Sequence, residues 1–486
     1  MPFSLSTTLD LKAPARERLI VSSLALFMLA VRLLLIRDGL PDSYSAALAE
    51  TVYRYEPGTG FPPFPGIPVY VLLIRFFIFL GFADYQALVL PSIVSCSLAV
   101  FPIFNIAKRI FGVREAYTAA IFYALHPGTL SFSLLPGSDA VLLFPLMLGV
   151  RLILRTAFIS REEREKTRFI SQYAGSAVLA FSIGLSGKAV QLLLIPVSLA
   201  FISALKLKSF SAITETFNGC LIGLALWVLP YLANYSISDL ILQTSTYQPV
   251  VETLQLSLNE KVTSLLWGIT FYSHSITGST ASTIISSLLL FTMFIQGVKR
   301  AFTERGFTHL VIPTLALLFY GLVSNVPDSP ANYSLLFPFI ILISSGGVIS
   351  RSFTTFKYSG TVIIALLVIT IFTTRASILK NKETALESAV SYLKKEYPDS
   401  GCTVLCGTSA KLLKRELTDF RIYRIESKKD LQNPKIAVSE FIVYISDIPG
   451  FKERSIPEAK KQKVFHPLRL YEGRKRSIEV HYKTNQ

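Results

Sequence analysis

The chain has 486 residues, 51% hydrophobic and only 16% charged, with a mean hydropathy of +0.49. A soluble domain carries about 25% charged residues, so an ordinary soluble enzyme of two or three domains is excluded, and four cysteines without metal-ligand spacing exclude a disulfide scaffold. The net charge is +16, and after residue 375 there are 22 Lys/Arg against 14 Asp/Glu, a balance that suits a membrane surface or an anionic lipid headgroup better than nucleic acid.

A helix that crosses a bilayer needs roughly 20 mostly apolar residues. Runs of that kind fall at 19–36, 66–83, 87–107, 116–134, 139–157, 171–187, 189–205, 214–233, 281–298, 307–323, 332–350 and 360–375. The first ends in Arg37-Asp38 without a small-residue cleavage site, so no cleavable signal peptide is expected. Lys and Arg collect in cytoplasmic loops. The basic groups here are Lys12/Arg16/Arg18, Lys108/Arg109/Arg114, Arg155/Arg161/Arg164/Lys166/Arg168, Lys206/Lys208, Lys299/Arg300/Arg305 and Arg351/Lys357. They alternate with connections nearly free of positive charge from residue 87 onward. The alternation fails at the front unless 66–83 does not cross. That run contains Arg75, follows a Pro/Gly-rich stretch and ends in Gly81-Phe82-Ala83-Asp84, so it reads as a helix lying at the outer interface. Eleven spans then remain, with the N-terminus cytoplasmic and the C-terminus outside. Arg32 and Arg151 lie inside spans and are expected to snorkel or to pair with nearby polar groups.

From about Thr384 the chain changes character. Glu387–Glu396 and Ser409–Leu417 read as helices, and Cys402–Cys406, Phe420–Ile425, Phe441–Ile445 and Ser477–His481 as strands. The organisation expected is therefore a polytopic α-helical membrane domain over 1–375 and a small extracytoplasmic α/β domain over 376–486. Cys402 and Cys406 read as packed thiols. The small domain has no Gly-rich phosphate loop and no His/Cys cluster, which leaves capping or acceptor positioning as its expected work.

The position of a few charged residues is the chemical clue. Asp42 follows Pro41 in the first outer loop and precedes the Ala-rich run 43–53, as the N-cap of a helix would. Glu50 and Arg54 stand on adjacent faces of that helix. Asp139 opens the span after the short outer turn Pro136-Gly137-Ser138. Two acids at span boundaries on one side are expected to converge on a polar pocket, because boundary carboxylates are expensive to keep without a use. Plain capping explains each of them equally well by itself. Lys188 lies in the outer turn Leu185-Ser186-Gly187-Lys188, and Asp328 in the outer turn Val326–Pro330. Lys188 either snorkels into headgroups or neutralises a lipid phosphate.

These groups suit glycosyl transfer from a lipid-linked sugar. A carboxylate at the outer face deprotonates an acceptor hydroxyl, and Lys or Arg neutralises the departing polyprenyl phosphate. A groove between spans accommodates the apolar tail. Asp42 and Asp139 are the candidate catalytic pair; Lys188, Arg54, Glu50 and Asp328 are the candidates for binding donor phosphate and substrate. Direct displacement by the hydroxyl inverts the anomeric configuration.

A family resemblance follows from the order of these features. A single span and an acidic first loop lead to the Pro-rich approach Phe61-Pro62-Pro63-Phe64-Pro65-Gly66-Ile67-Pro68. A span ending in Ala107-Lys108-Arg109-Ile110-Phe111-Gly112 comes next, then a break at His126-Pro127-Gly128, Ser138-Asp139, Gly184–Lys188 and Leu193–Pro196. Over about 19–235 the chain resembles the GT-C superfamily of membrane glycosyltransferases, in the branch of protein O-mannosyltransferases and lipid A aminoarabinose transferases. The resemblance implies a polyprenyl-phosphate sugar donor, interfacial helices in the first outer loop and catalysis at the extracytoplasmic face. By position, Asp42 matches the family's first-loop acid, Asp139 its second-loop acid and Lys188 a basic turn. Many members have an Asp-Glu pair where this chain has Asp42-Ser43, which leaves Asp42 as the sole base there. Members differ in metal use; no ligand cluster is visible, and a divalent cation is the one cofactor the resemblance allows. Without a Trp-Trp-Asp signature after the last span, transfer of a single hexose to a protein, glycan or lipid acceptor is expected over transfer of a whole glycan to Asn. The membrane is the cell membrane in a prokaryote and the endoplasmic reticulum in a eukaryote.

Two alternatives make different predictions. A transporter or flippase of lipid-linked sugars predicts internal repeats with paired broken helices near mid-membrane, and the sequence has no clear repeat. A membrane scaffold predicts that Asp42 and Asp139 are dispensable.

Overall fold

The computed structural model describes residues 15–36, 43–55, 67–136, 139–157, 161–207, 210–236, 294–301, 337–348, 384–397, 402–406, 410–425, 441–445, 460–465 and 478–484, with Ser238, Thr314 and Leu335. The chain forms two compact units. The first comprises Met1–Ile36 and Glu56–Ser377, the second Arg37–Tyr55 and Ile378–Gln486.

The first unit is helical throughout its described residues. It begins with α1 (Ala15–Leu34); α2 (Ser43–Tyr53) belongs to the second unit. There follow α3 (Pro68–Phe79), α4 (Asp84–Leu98), α5 (Val100–Ile110), α6 (Val113–Leu125), α7 (Pro127–Ser133), α8 (Leu143–Ala157), α9 (Arg161–Phe181), α10 (Leu194–Leu207), α11 (Ser211–Leu232) and α12 (Phe337–Val348). Among the described residues, Asp84–Ile110 and Ser211–Leu232 are long and apolar enough to cross a bilayer, and they coincide with the expected spans at 87–107 and 214–233. The expected spans at 281–298, 307–323 and 360–375 lie mostly or wholly outside the described residues.

The run read as interfacial is α3. Its 12 residues give about 18 Å of helix, short of the roughly 30 Å hydrocarbon core. Its ends explain its length. Ile67 enters with φ 42° and Pro68 occupies the first turn, where a missing N–H costs nothing. Gly81, with φ 91°, then turns the chain as glycine allows.

Basic clusters read as cytoplasmic meet at one end of the helices. Lys108 Nζ on α5 lies 2.7 Å from Glu17 Oε2 on α1. Arg300 Nη1 lies 2.7 Å from Glu115 Oε1, while the same guanidinium donates to Gly346 O and Phe111 O at 3.2 Å. Arg109 Nη2 donates to Arg155 O at 3.1 Å. Elsewhere the packing relies on glycine. Gly219 and Gly223, one turn apart on α11, lie directly against the backbone of Tyr173 and Ala177 on α9, and Gly175 lies against Gly149 of α8. Small residues let membrane helices approach backbone to backbone. Outside that contact α11 exposes Phe217, Leu221, Leu226 and Leu229, as a surface facing lipid does.

The second unit contains a five-stranded sheet in the order β2-β1-β3-β5-β4. The strands are β1 (Cys402–Cys406), β2 (Arg421–Arg424), β3 (Phe441–Ile445), β4 (Lys460–Phe465) and β5 (Ile478–Thr484). β1 runs parallel to β2 and β3; β5 is antiparallel to β3 and β4. Two helices accompany the sheet, α13 (Ala385–Glu396) and α14 (Ala410–Glu416). Thr384 caps α13 reciprocally with Glu387, the arrangement that satisfies two orphan N–H groups at a helix start. β4 was not expected from the sequence. It is a lysine-rich edge strand, with charges that discourage pairing with another chain. The helix after the first apolar run, α2, packs against α14; its Ala46, Ala47, Leu48, Ala49 and Val52 are buried.

Candidate functional site

The turn that bears Asp139 has the best-defined surroundings. The helix preceding it breaks at His126, whose ψ of 121° is extended as the following Pro127 requires. A new helix, α7, starts there. His126 Nδ1 accepts from Thr129 N at 3.4 Å, and the single Thr129 O–H has His126 O at 2.8 Å and Tyr123 O at 3.1 Å as acceptors within reach. α7 ends at Ser133, and Asp139–Leu142 follow as a 3-10 turn that leads into α8.

α4 holds that turn from one side. Ser95 Oγ donates to Val141 O at 2.7 Å and accepts from Phe144 N at 3.0 Å. Cys96 Sγ lies 3.9 Å from both Thr129 O and Ala140 O, and Tyr123 Oη donates to Cys96 O at 3.1 Å. α1 holds α7 from another side. Arg32 is fully buried. Its Nε donates to Ser133 Oγ at 3.0 Å, Nη1 to Met28 O at 3.2 Å and Nη2 to Thr129 Oγ1 at 3.5 Å. Of the two expectations for Arg32, pairing holds and snorkelling does not. Its partners are neutral, and they come from α7 and its own preceding turn. Arg151 is half-buried.

The second candidate region is the stretch Ser182–Leu193, two 3-10 turns between α9 and α10. Gly184 is pressed between α3 and α11. A Cβ there would come within 2.6 Å of Val69 Cγ2 and 2.9 Å of Trp227 Cγ. This close approach fixes the backbone from which Lys188 departs. Trp227 is buried, and its indole N–H has no partner. In the second unit Glu50 and Arg54 are both exposed, and Arg54 N donates to Glu50 O at 3.0 Å at the end of α2.

Asp42 and Asp328 lie outside the described residues, as do the side chains of Asp139 and Lys188. Among the described residues no three His, Cys, Asp or Glu side chains are grouped so as to hold a metal ion. Sequence reasoning passed over Ser95, Thr129, Ser133 and Trp227. The available signal was the density of hydroxyls inside apolar runs, Ser92, Ser95 and Ser97 in one and Thr129, Ser131 and Ser133 in the other.

Residues 63–232 match the family described as dolichyl-phosphate-mannose-protein mannosyltransferase. No curated protein matches the chain in sequence. Among solved structures, the chain is similar to ArnT from Cupriavidus metallidurans bound to undecaprenyl phosphate, with 10% identity and a TM-score of 0.62 over 98% of this chain and 99% of that one. It is also similar to the Archaeoglobus fulgidus oligosaccharyltransferase in complex with Zn and sulfate, with 13% identity and a TM-score of 0.55 over 87% of this chain and 67% of that one. The archaeal oligosaccharyltransferase AglB from the same organism, in complex with an inhibitory peptide and a dolichol-phosphate, gives 12% identity and a TM-score of 0.53 over 88% and 69%.

Proposed function

We propose that this chain is a membrane glycosyltransferase of the GT-C type, whose fold it shares, and that it transfers a single hexose from a polyprenyl-phosphate donor to an acceptor hydroxyl at the extracytoplasmic face of a membrane. The family match over 63–232 carries this reading. That stretch contains the Asp139 turn, the Ser95 that holds it and the Gly184–Lys188 turn. The likeness of fold to a protein bound to undecaprenyl phosphate supports the donor class.

In the proposed step Asp42 takes the proton from the acceptor hydroxyl. The hydroxyl oxygen bonds to the anomeric carbon as the bond from that carbon to the phosphate oxygen breaks. The electron pair leaves with the polyprenyl phosphate, and the anomeric configuration inverts. Lys188 and Arg54 neutralise the departing phosphate, since charge-assisted hydrogen bonds are the strong ones available to it. Asp139 is the second catalytic acid, and Glu50 and Asp328 bind sugar or acceptor hydroxyls. The N-terminus is cytoplasmic and the C-terminal domain extracytoplasmic, where it meets a protein, glycan or lipid acceptor.

The test is a transfer assay in membranes with radiolabelled polyprenyl-phosphate hexoses, comparing the native chain with Asp42→Asn and Asp139→Asn. Removing a general base lowers the rate about 10²- to 10⁴-fold. A near-native rate for Asp42→Asn would remove it from the mechanism.

A further inference from the structure

We infer that Arg32 is a positioning residue that ties the root of the Asp139-bearing segment to α1; this rests on the transferase reading above. Arg32 stands two residues before the end of α1, the helix that feeds the first outer loop and Asp42. Ser133, which accepts from its Nε at 3.0 Å, is the last residue of α7 and feeds the turn to Asp139. One guanidinium therefore joins α1 to the helix that leads to Asp139. On its far side the Asp139 turn is held by Ser95, through Val141 O at 2.7 Å and Phe144 N at 3.0 Å. The turn is clamped from α1 on the α7 side and from α4 on the α8 side.

Stability alone is a poor reason for this arrangement. Arg32 is fully buried among helices, with neutral hydrogen-bond partners. Charges inside a bundle are expensive, and replacing them with apolar side chains of similar volume is often neutral or stabilising. The hydroxyls would not be orphaned by its loss. Ser133 Oγ also donates to Leu130 O at 2.8 Å, and Thr129 Oγ1 to His126 O at 2.8 Å. A Met at this position would fill the volume and leave the bundle folded, while removing the hydrogen bonds from α1 to Ser133 and Thr129 of α7. What the cation supplies is a planar fork that reaches Ser133 and Thr129 together, a geometry that a single ammonium does not reproduce.

The experiment compares the full-length native chain with Arg32→Met, Arg32→Lys and Ser133→Ala in liposomes, supplied with radiolabelled polyprenyl-phosphate mannose. A misplacement of about 1 Å at a reacting group costs about 10²-fold in rate. Arg32→Met is therefore expected to lower kcat by about that factor, with the donor KM within about twofold of native and the melting temperature unchanged. Arg32→Lys recovers part of the loss. In a parallel measurement that needs no activity, backbone amides over 130–142 exchange hydrogen faster in Arg32→Met than in the native chain. Native kcat, a change in KM alone, or unchanged exchange in that segment would each overturn the inference. If Arg32→Met does not fold, Ser133→Ala is judged by the same two readouts. A native chain that transfers nothing refutes the transferase reading, and the exchange measurement then decides the clamp by itself.

Discussion

Substituting Gly223 by Ala places a methyl group against the backbone of its neighbouring helix. The new Cβ would meet Ala177 O directly, with Ala180 Cβ at 2.8 Å and Ala177 C at 2.9 Å. A carbonyl on a helix does not rotate aside as the end of a flexible side chain does, so α9 and α11 must separate. Overpacking of this kind costs about 1–3 kcal/mol, and contact with backbone argues for about 3. The helix interior returns about 1 kcal/mol, because Ala is a better helix former than Gly. The net destabilisation is about 2 kcal/mol. Gly219→Ala meets Tyr173 O and Ser176 Cβ in the same way and should cost about as much. The double variant should cost less than the sum, because the first methyl already moves the helices apart and neighbouring changes do not add. The assay is thermal unfolding in detergent, with Leu221→Ala as the control; Leu221 is 49% exposed on the opposite side of α11 and its loss should move the transition little. A Gly223→Ala protein that melts at the native temperature would show that the helices are not in backbone contact at that point.

Burial pushes the Cys402 thiol up to about 11, so the thiolate, the reactive form, is scarce at pH 7.5. Maleimide should label Cys402 slowly in the native chain and fully after denaturation, and equal labelling rates would contradict the packing of β1. At the start of α13, Glu387 N donates to Thr384 Oγ1 at 3.2 Å and Thr384 N to Glu387 Oε2. Thr384→Ala should destabilise the second unit by about 1 kcal/mol, with Thr384→Ser near native in a denaturant melt.

The helical character of the described residues between 15 and 236 was legible because apolar runs and charge alternation are local signals. Charge parity also singled out 66–83, where the 12-residue helix α3 lies. β4 escaped because Lys460, Lys461 and Lys463 suit an edge strand that packs little and shows no apolar alternation. The contact of α2 with α14 escaped because it joins segments separated by most of the chain, and no local pattern encodes such a pairing. Arg32 was read as a residue that would snorkel or pair. Its partners could not be named from sequence, since they depend on how α1 meets α7. The candidate acids were found by their place at span boundaries, whereas the serines that hold the Asp139 turn resemble any hydroxyl inside an apolar helix until a partner is seen.

The most direct measurement uses the purified full-length chain in liposomes with a radiolabelled polyprenyl-phosphate hexose and a membrane extract as acceptor source. It follows three quantities: label joined to acceptor, free polyprenyl phosphate, and the anomeric configuration of the product. The account predicts that label and free carrier appear together, with the configuration inverted. Donor that remains intact, or that crosses the bilayer with its sugar still attached, would contradict it.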